Sequence, residues 1–283
     1  MFDISQQAIR AVVERALAED IGSGDITSEL TIPDGLPGTG RFIAQQALVL
    51  AGAELLPLIY SLRGTVDVSQ FAASGASLSA GDTIAFVTGP ARTLLECERV
   101  ALNFLQRLSG VATLARKYVD AVAGTNVKIL DTRKTTPGLR ILEKMAAAAG
   151  GVTNHRQGLF DAVLIKNNHI TAAGGVRKAL EAAAGFSGQV EIEVRTREEL
   201  EEALACGAKR LLLDNLTPVE AAAWIRYIAG RATVELSGGI QLDNIRAHAA
   251  AVPDFISCGA ITHSAPAVDI SFRLELSPEG RER

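Results

Sequence analysis

Apolar residues recur at helical spacing over residues 5–19, where Ile9, Val12, Val13, Ala16 and Leu17 share one face. The period then shortens to that of strands. RFIAQ (41–45), ALVLAG (47–52), GTVDVS (64–69) and DTIAFVTG (82–89) are short apolar runs separated by glycine-bearing turns. Residues 91–122 return to helix, with Leu94, Leu95, Val100, Leu102, Leu105, Leu108, Val111 and Leu114 recurring along it. From Val127 onward a strand–loop–helix unit repeats. Its strands are 127–130, 162–166, 190–194, 210–214, 233–236 and 254–258, and its alanine-rich helices are 172–184, 196–206, 217–229 and 241–251. Strands alternating with helices imply a parallel sheet with right-handed crossovers. The fold class expected is α/β, six such strands favouring a βα barrel over an open doubly wound sheet; the domains expected are an N-terminal α/β sandwich at 1–110 and an open, incomplete βα barrel at 111–269. A tail, 270–283, is expected to return to the first domain.

Polar residues sit at one end of the repeating strands. Asp131, Lys166, Glu193, Asp214, Ser237 and Gly259 all fall at or just past their C-terminal ends, the face on which βα barrels assemble chemistry. Composition narrows the options further. The 283 residues are 48% hydrophobic and 21% charged, enough to bury a core without staples. No window approaches the ~18 uninterrupted apolar residues of a membrane helix, and MFDISQQAIRAVVERALAED lacks a signal-peptide core. A cytoplasmic protein that binds neither membrane nor nucleic acid is expected. Cys97, Cys206 and Cys258 are widely spaced, so neither a disulfide framework nor a structural zinc site is expected.

The net charge of −4 is unevenly spread. Residues 131–169 hold six Lys/Arg against three Asp/Glu, a basic island in an acidic chain that points to one anion site. Arg133 and Lys134 follow a strand, Pro137 suits the first turn of a helix, His155 and Arg156 follow a Gly-Gly turn, and Lys166 ends the next strand. Such cations need an anionic ligand to offset their repulsion; Arg grips planar carboxylate or phosphate, and Lys acts as a compact charge. Glu193 and Asp214, with Glu191 and Asn215 beside them, either pair with those cations or hold sugar hydroxyls or a Mg²⁺ bridging phosphates. Ser237-Gly238-Gly239 and Gly259-Ala260 follow the last two strands, where βα barrels often bind phosphate. His169 and His263 read as loop-orienting residues near the site, His248 as a solvated helix residue, and Trp224 as core.

GDITSELTIP (24–33), ERVALNFLQRLSGVAT (98–113), DTRKTTPGLRILEK (131–144), NHRQGLFDAVLIKNNH (154–169), LLLDN (211–215), ELSGGI (235–240) and ISCGAITHSAP (256–266) carry a resemblance to the quinolinate phosphoribosyltransferases that runs nearly end to end. The resemblance implies an enzyme that joins quinolinate to phosphoribosyl pyrophosphate, releasing nicotinate mononucleotide, CO₂ and pyrophosphate, with Mg²⁺. It implies that Thr132, Arg133, Lys134, His155 and Arg156 line a quinolinate pocket. Lys166, Glu193 and Asp214 would face the phosphoribosyl group. Glu193 and Asp214 would hold Mg²⁺ largely through substrate phosphates and water. Ser237, Gly238, Gly239, Cys258, Gly259 and Ala260 would hold the phosphate end. Lys134, Lys166, Glu193 and Asp214 are the catalytic set it implies. It further implies a head-to-tail homodimer in which Arg99 completes the partner's pocket; a helix-surface Arg99 pairing with Glu96 or Glu98 is the alternative. The chain departs from the family's usual pattern at Val152, where a third glycine is common, and at Asn167, where an acid often stands; RFIAQQALVLAG also lacks the usual acid–acid/Gly pattern. These departures bear on fine specificity more than on reaction class. Two rival readings share parts of this pattern: a paralogue associated with molybdate uptake and a non-catalytic, nucleotide-sensing barrel. LIKNNH and NHR fit the quinolinate enzymes better, and Lys134, His155 and Lys166, which a sensor could discard, are all present.

Overall fold

The computed structural model describes residues 6–70 and 72–276. The first helical stretch runs Gln6–Ile21 (α1) and buries Val13 and Leu17. A short helix, Ile26–Thr31 (α2), starts at Asp25, whose carboxylate accepts from Ser28 N at 3.0 Å. The strands that follow are Pro37–Ala44 (β1), Leu48–Val49 (β2), Asp67–Gln70 (β3), Ser77–Leu78 (β4) and Thr83–Pro90 (β5), with Leu56–Ser61 (α3) between β2 and β3. The long helix Ala91–Ala121 (α4) buries Leu94, Cys97, Ala101, Leu105, Leu108, Ala112 and Ala115 at three- and four-residue steps.

The rest of the chain supplies Lys128–Leu130 (β6), Arg140–Ala149 (α5), Val163–Ile165 (β7), Asn167–Ala173 (α6), Val176–Ala183 (α7), Val190–Val194 (β8), Arg197–Ala205 (α8), Arg210–Asp214 (β9), Pro218–Ile228 (α9), Thr233–Ser237 (β10), Ile245–Ala249 (α10), Phe255–Ser257 (β11), Ala260–His263 (α11) and Ile270–Leu276 (β12). Contacts divide the chain into two units. One comprises 1–115, 136–151 and 265–283; the other comprises 116–135 and 152–264. In the first, an antiparallel sheet runs β12-β1-β5-β3, so the C-terminal strand pairs with β1, and Phe272 meets Phe42 at 4.9 Å between ring centroids. Helix α5 also groups with this unit. Its buried Glu143 accepts from Arg107 Nε at 3.0 Å and Nη2 at 2.7 Å, and from Thr136 N at 3.0 Å. Pro137 does not open this helix. It stands three residues ahead, in a turn closed by Leu139 N on Thr136 O, with Gly138 at φ +81.

The second unit is a six-stranded parallel sheet in the order β6-β11-β10-β9-β8-β7. Among the described residues β7 and β6 do not pair with each other, and a parallel bridge from Leu130 to Thr153 extends the β6 edge. This is the open βα arrangement expected from the sequence. Because side chains alternate along a strand, one face carries Ile192, Val194, Leu211, Leu213, Val234, Leu236 and Ile256, all buried. The other carries Glu191, Glu193, Arg210, Leu212, Asp214, Glu235, Ser237 and Ser257, a far more polar interior than the branched aliphatic layers usual in such barrels. Thr196 with Glu199, and Thr217 with Glu220, form capping boxes that start α8 and α9 directly after β8 and β9. The long helix expected at 172–184 is broken at Gly174-Gly175, whose φ values are +85 and +131. Two side-chain expectations are corrected. His248 is buried rather than solvated, its ring nitrogens 3.1 Å from Asn244 O and 3.3 Å from Leu216 O, and Trp224 is only partly buried.

Candidate active site

A cavity of about 280 Å³ opens at the C-terminal ends of the parallel strands and lies wholly within the second unit. Of the residues singled out from sequence, Thr132, Arg133, Lys134, His155, Arg156, Lys166, Asp214, Ser237, Gly238, Gly239, Gly259 and Ala260 line it. Glu193 is buried behind the wall and meets the site through Lys166, whose Nζ lies 3.0 Å from its Oε2. Cys258 is buried and does not line the cavity, and burial pushes its thiol up to about 12. Arg99 is exposed on α4, in the other unit, and Glu96 is held by Arg63 rather than by Arg99.

Each cation is placed by local bonds. Asp131, buried at the end of β6, accepts from His155 N at 2.8 Å and from Asn154 Nδ2 at 2.6 Å, tying the NHR segment to the strand end. Arg156 donates through Nη1 to Ala162 O at 3.1 Å. Burial, and then the neighbouring Arg133 charge, hold the Arg156 guanidinium below its ordinary range. Those two arginines repel each other, and an anion between them relieves the repulsion. Lys166 caps α6, its N–H donating to His169 Nδ1 at 2.9 Å, which gives His169 the orienting role expected of it. Lys134 O accepts from Thr262 Oγ1 at 2.7 Å.

The glycines of the last two loops have steric reasons. Gly238 has φ +91, and a Cβ there would stand 2.3 Å from Asn215 Oδ1 and 2.7 Å from Asn215 N. A Cβ on Gly259 would stand 2.8 Å from Lys134 Cδ, so that lysine lies against bare backbone.

His155 has both ring nitrogens engaged by protein. Nδ1 accepts from Arg156 N at 2.7 Å, and Nε2 lies 3.3 Å from Glu191 Oε2 and 3.5 Å from Glu235 Oε2. Burial alone would depress this imidazole; the bonds to Glu191 and Glu235 outweigh it and raise the group to about 9. The Arg156 N–H on Nδ1 opposes that protonation, so taking up a second proton requires the 155–156 backbone to give up this bond. Glu191, weighed from sequence as a sugar or metal ligand, is instead 1% exposed and bonded to His155 and Arg210. Asn215 supports its neighbour, donating through Nδ2 to Asp214 Oδ2 at 2.7 Å.

Residues that sequence reasoning passed over also shape the site. Leu164, Leu212 and Ile240 give the cavity an apolar wall, and Glu235, Gln241 and Ser257 add polar groups. Arg195 Nη2 stands 2.8 Å from Glu193 Oε1 and 3.4 Å from Asp214 Oδ2. Strand alternation offered the available signal: Glu235 and Ser257 occupy the same inward register as Ser237 and Gly259.

Comparison with known proteins agrees with this arrangement. The family model for the N-terminal domain of quinolinate phosphoribosyl transferase matches residues 25–109, and that for the C-terminal domain matches residues 111–273. A probable nicotinate-nucleotide pyrophosphorylase [carboxylating] of Bacillus subtilis is 39% identical over 278 residues, covering 97% of this chain and 96% of that protein. The nicotinate-nucleotide pyrophosphorylase [carboxylating] of Mycobacterium leprae is 40% identical over 282 residues, covering 96% and 99%. The crystal structure of NadC from Streptococcus pyogenes superposes with a TM-score of 0.92 at 37% identity, covering 98% of this chain and all of that one. With both domain models matched in sequence and full-length relatives near 40% identity, the chain belongs to the quinolinate phosphoribosyl transferase family.

Proposed function

We infer that this chain transfers the phosphoribosyl group of phosphoribosyl pyrophosphate to the ring nitrogen of quinolinate. Loss of the 2-carboxylate then gives nicotinate mononucleotide, CO₂ and pyrophosphate. The observation that carries this reading is the convergence of Arg133, Lys134, Arg156 and Lys166 on one cavity whose far side is made by the Ser237–Gly239 and Gly259–Ala260 loops. A dicarboxylate is the ligand that uses this many fixed cations, since one carboxylate leaves some of them unpaired at a cost of a few kcal/mol. The glycine loops leave backbone accessible for a phosphate.

The chemistry asks little of covalent catalysis. Breaking the ribose–pyrophosphate bond builds positive charge on the sugar and negative charge on the leaving group. Fixed carboxylates and cations set around the reacting centre stabilise both. Asp214 lines the cavity and faces the first, and Glu193 acts from behind the wall through its bond to Lys166. Once ribosylated, the pyridine nitrogen is cationic and stabilises the electron pair left on C2 when the C2–carboxylate bond breaks; a proton then adds to that pair in place of CO₂. Arg156 and Arg133 hold the carboxylates, and Leu164, Leu212 and Ile240 limit water.

Mg²⁺ belongs to this proposal. Glu193 and Asp214 already converge on one cationic nitrogen, that of Arg195, which lies 2.8 Å from Glu193 Oε1 and 3.4 Å from Asp214 Oδ2. Two hard carboxylates that gather a cation suit Mg²⁺, which takes oxygen ligands and keeps substrate phosphates and water in its shell, and a bound ion would take the place of the Arg195 guanidinium. When bound it would offset the charge of the leaving pyrophosphate.

The same proposal includes a head-to-tail homodimer with Arg99 supplied in trans. Its support is the exposed position of Arg99 on α4 and the engagement of Glu96 by Arg63. Among the described residues no helix is long and apolar enough to cross a membrane. The test is incubation with quinolinate, phosphoribosyl pyrophosphate and Mg²⁺, assayed for nicotinate mononucleotide. Nicotinate is run as the competing acid, and turnover of nicotinate at a comparable rate would overturn the dicarboxylate specificity.

A further inference from the structure

Around His155, at the base of the cavity, the barrel interior holds three charged groups with no assigned role: Arg210, Glu191 and Glu235. Arg210 enters from the start of β9. Its Nε donates to Glu191 Oε1 at 2.9 Å and its Nη2 to Glu235 Oε2 at 3.1 Å. Gln189, in the amide orientation that satisfies both partners, accepts from Nη1 at 2.8 Å. The guanidinium lies over the Phe255 ring, 4.6 Å from its centroid. Glu191 and Glu235 are each 1% exposed and turn their other interactions toward His155 Nε2. One histidine nitrogen and two carboxylate oxygens within 4.8 Å of one another have the composition of a divalent-metal site. Here, however, a guanidinium is bonded to both carboxylates, which makes the cluster a closed ion network.

Two members of this network, His155 and Glu235, also line the cavity, so its charge is felt by whatever the cavity binds. Whichever charge His155 holds, removing Arg210 makes the network one unit more negative. Resting on the functional reading above, we propose that Arg210 is a positioning residue of the transfer site: it neutralises Glu235 and Glu191 beneath the dicarboxylate and fixes the two acids that hold His155. Arg210 does not touch the ligand; it acts through Glu235 and His155. Charges in a site of low effective dielectric are weakly screened, so a single uncompensated carboxylate under a dianion weakens binding substantially. That loss falls on binding in the ground state and the transition state alike, and it is read in KM rather than in kcat.

The test uses the full-length chain in steady-state assays at saturating phosphoribosyl pyrophosphate. Arg210→Met is expected to raise the KM for quinolinate at least tenfold while kcat stays within threefold. In Arg210→Met/Glu191→Gln, which removes with the guanidinium the carboxylate that does not line the cavity, KM is expected within threefold of wild type. A merely structural role gives the opposite signature: a smaller active fraction lowers kcat and leaves KM unchanged. That result in a folded Arg210→Met protein would overturn the proposal. If the single variant fails to fold, the double variant decides. A folded double variant with KM within threefold of wild type supports the proposal, and one with KM still tenfold high refutes it. Absence of product from the wild-type chain would instead remove the functional reading, and this inference with it.

Discussion

Replacing Arg156 by methionine removes a cation from the cavity while keeping most of the apolar stem. Two opposing effects follow. A ligand carboxylate loses a charge-assisted hydrogen bond, typically about 1.5–3 kcal/mol. The Arg133–Arg156 repulsion, which adds to burial in depressing the Arg156 guanidinium, is relieved in the free protein. The first effect dominates when ligand is bound, because the ligand's charge already neutralises much of that repulsion. A net loss of about 2 kcal/mol corresponds to roughly a thirtyfold weaker affinity for quinolinate. In the free protein the lost bond to Ala162 O, about 1 kcal/mol, is offset by the relieved repulsion, so the unliganded thermal midpoint should barely move. The assay is KM for quinolinate at saturating phosphoribosyl pyrophosphate, beside a melting curve without ligand. A KM within threefold of wild type would refute the assignment of Arg156 to the dicarboxylate; a collapsed melting curve would show that it is a scaffold residue.

Lys166→Met and Glu193→Gln are expected to lower kcat by tenfold or more with smaller changes in KM, because Lys166 faces charge that develops during transfer and Glu193 holds Lys166 there; equal KM and kcat effects would contradict this. His155 is raised from 6.5 to about 9 by Glu191 and Glu235 against burial, so its stabilising contribution is complete below about pH 6.5 and is lost as pH rises through about 9. Denaturant midpoints measured from pH 6 to 10 should fall over that range in wild type and flatten in His155→Gln. Gly238→Ala should cost about 1–3 kcal/mol from its positive φ and displace Asn215, seen as a lower melting temperature and a raised KM for phosphoribosyl pyrophosphate. Inactive Arg99→Ala and Lys134→Ala homodimers, mixed and re-formed, should recover about a quarter of wild-type activity, by binomial counting over a symmetric dimer; no recovery despite subunit exchange would place Arg99 outside the partner's site.

The parallel sheet and its functional end were legible because the signal repeats: six apolar runs, each followed by a polar or glycine residue at the same point. Twelve of the site positions named from sequence line the cavity; those at the strand ends follow from that repeat, whereas Thr132, His155 and Arg156 came from the basic segment and the family resemblance. Four features were not legible. A break at Gly174-Gly175 hides inside an alanine-rich stretch whose helical period continues across it. His248 lies on a short helix, and what buries it is distant in sequence: the carbonyl of Leu216 accommodates its ring. The Arg210–Glu191–Glu235–His155 network is spread over three strands and a loop; the sequence pointed to His155 and Glu191 as site residues, but gave Arg210 and Glu235 no role. Only strand alternation places them inside, and alternation does not reveal which charges meet. Likewise β12 reads as a tail, because the partner that makes it a strand, β1, lies more than 220 residues earlier.

The most direct measurement of the central claim is release of labelled CO₂ from quinolinate carrying the label in its 2-carboxylate, counted against nicotinate mononucleotide and pyrophosphate in the same tube. The expected result is one CO₂ and one pyrophosphate per nucleotide, all three absent when phosphoribosyl pyrophosphate is left out. Release of CO₂ without it, or formation of a nucleotide that retains the label, would contradict the claim that transfer to the ring nitrogen precedes and drives decarboxylation in this site.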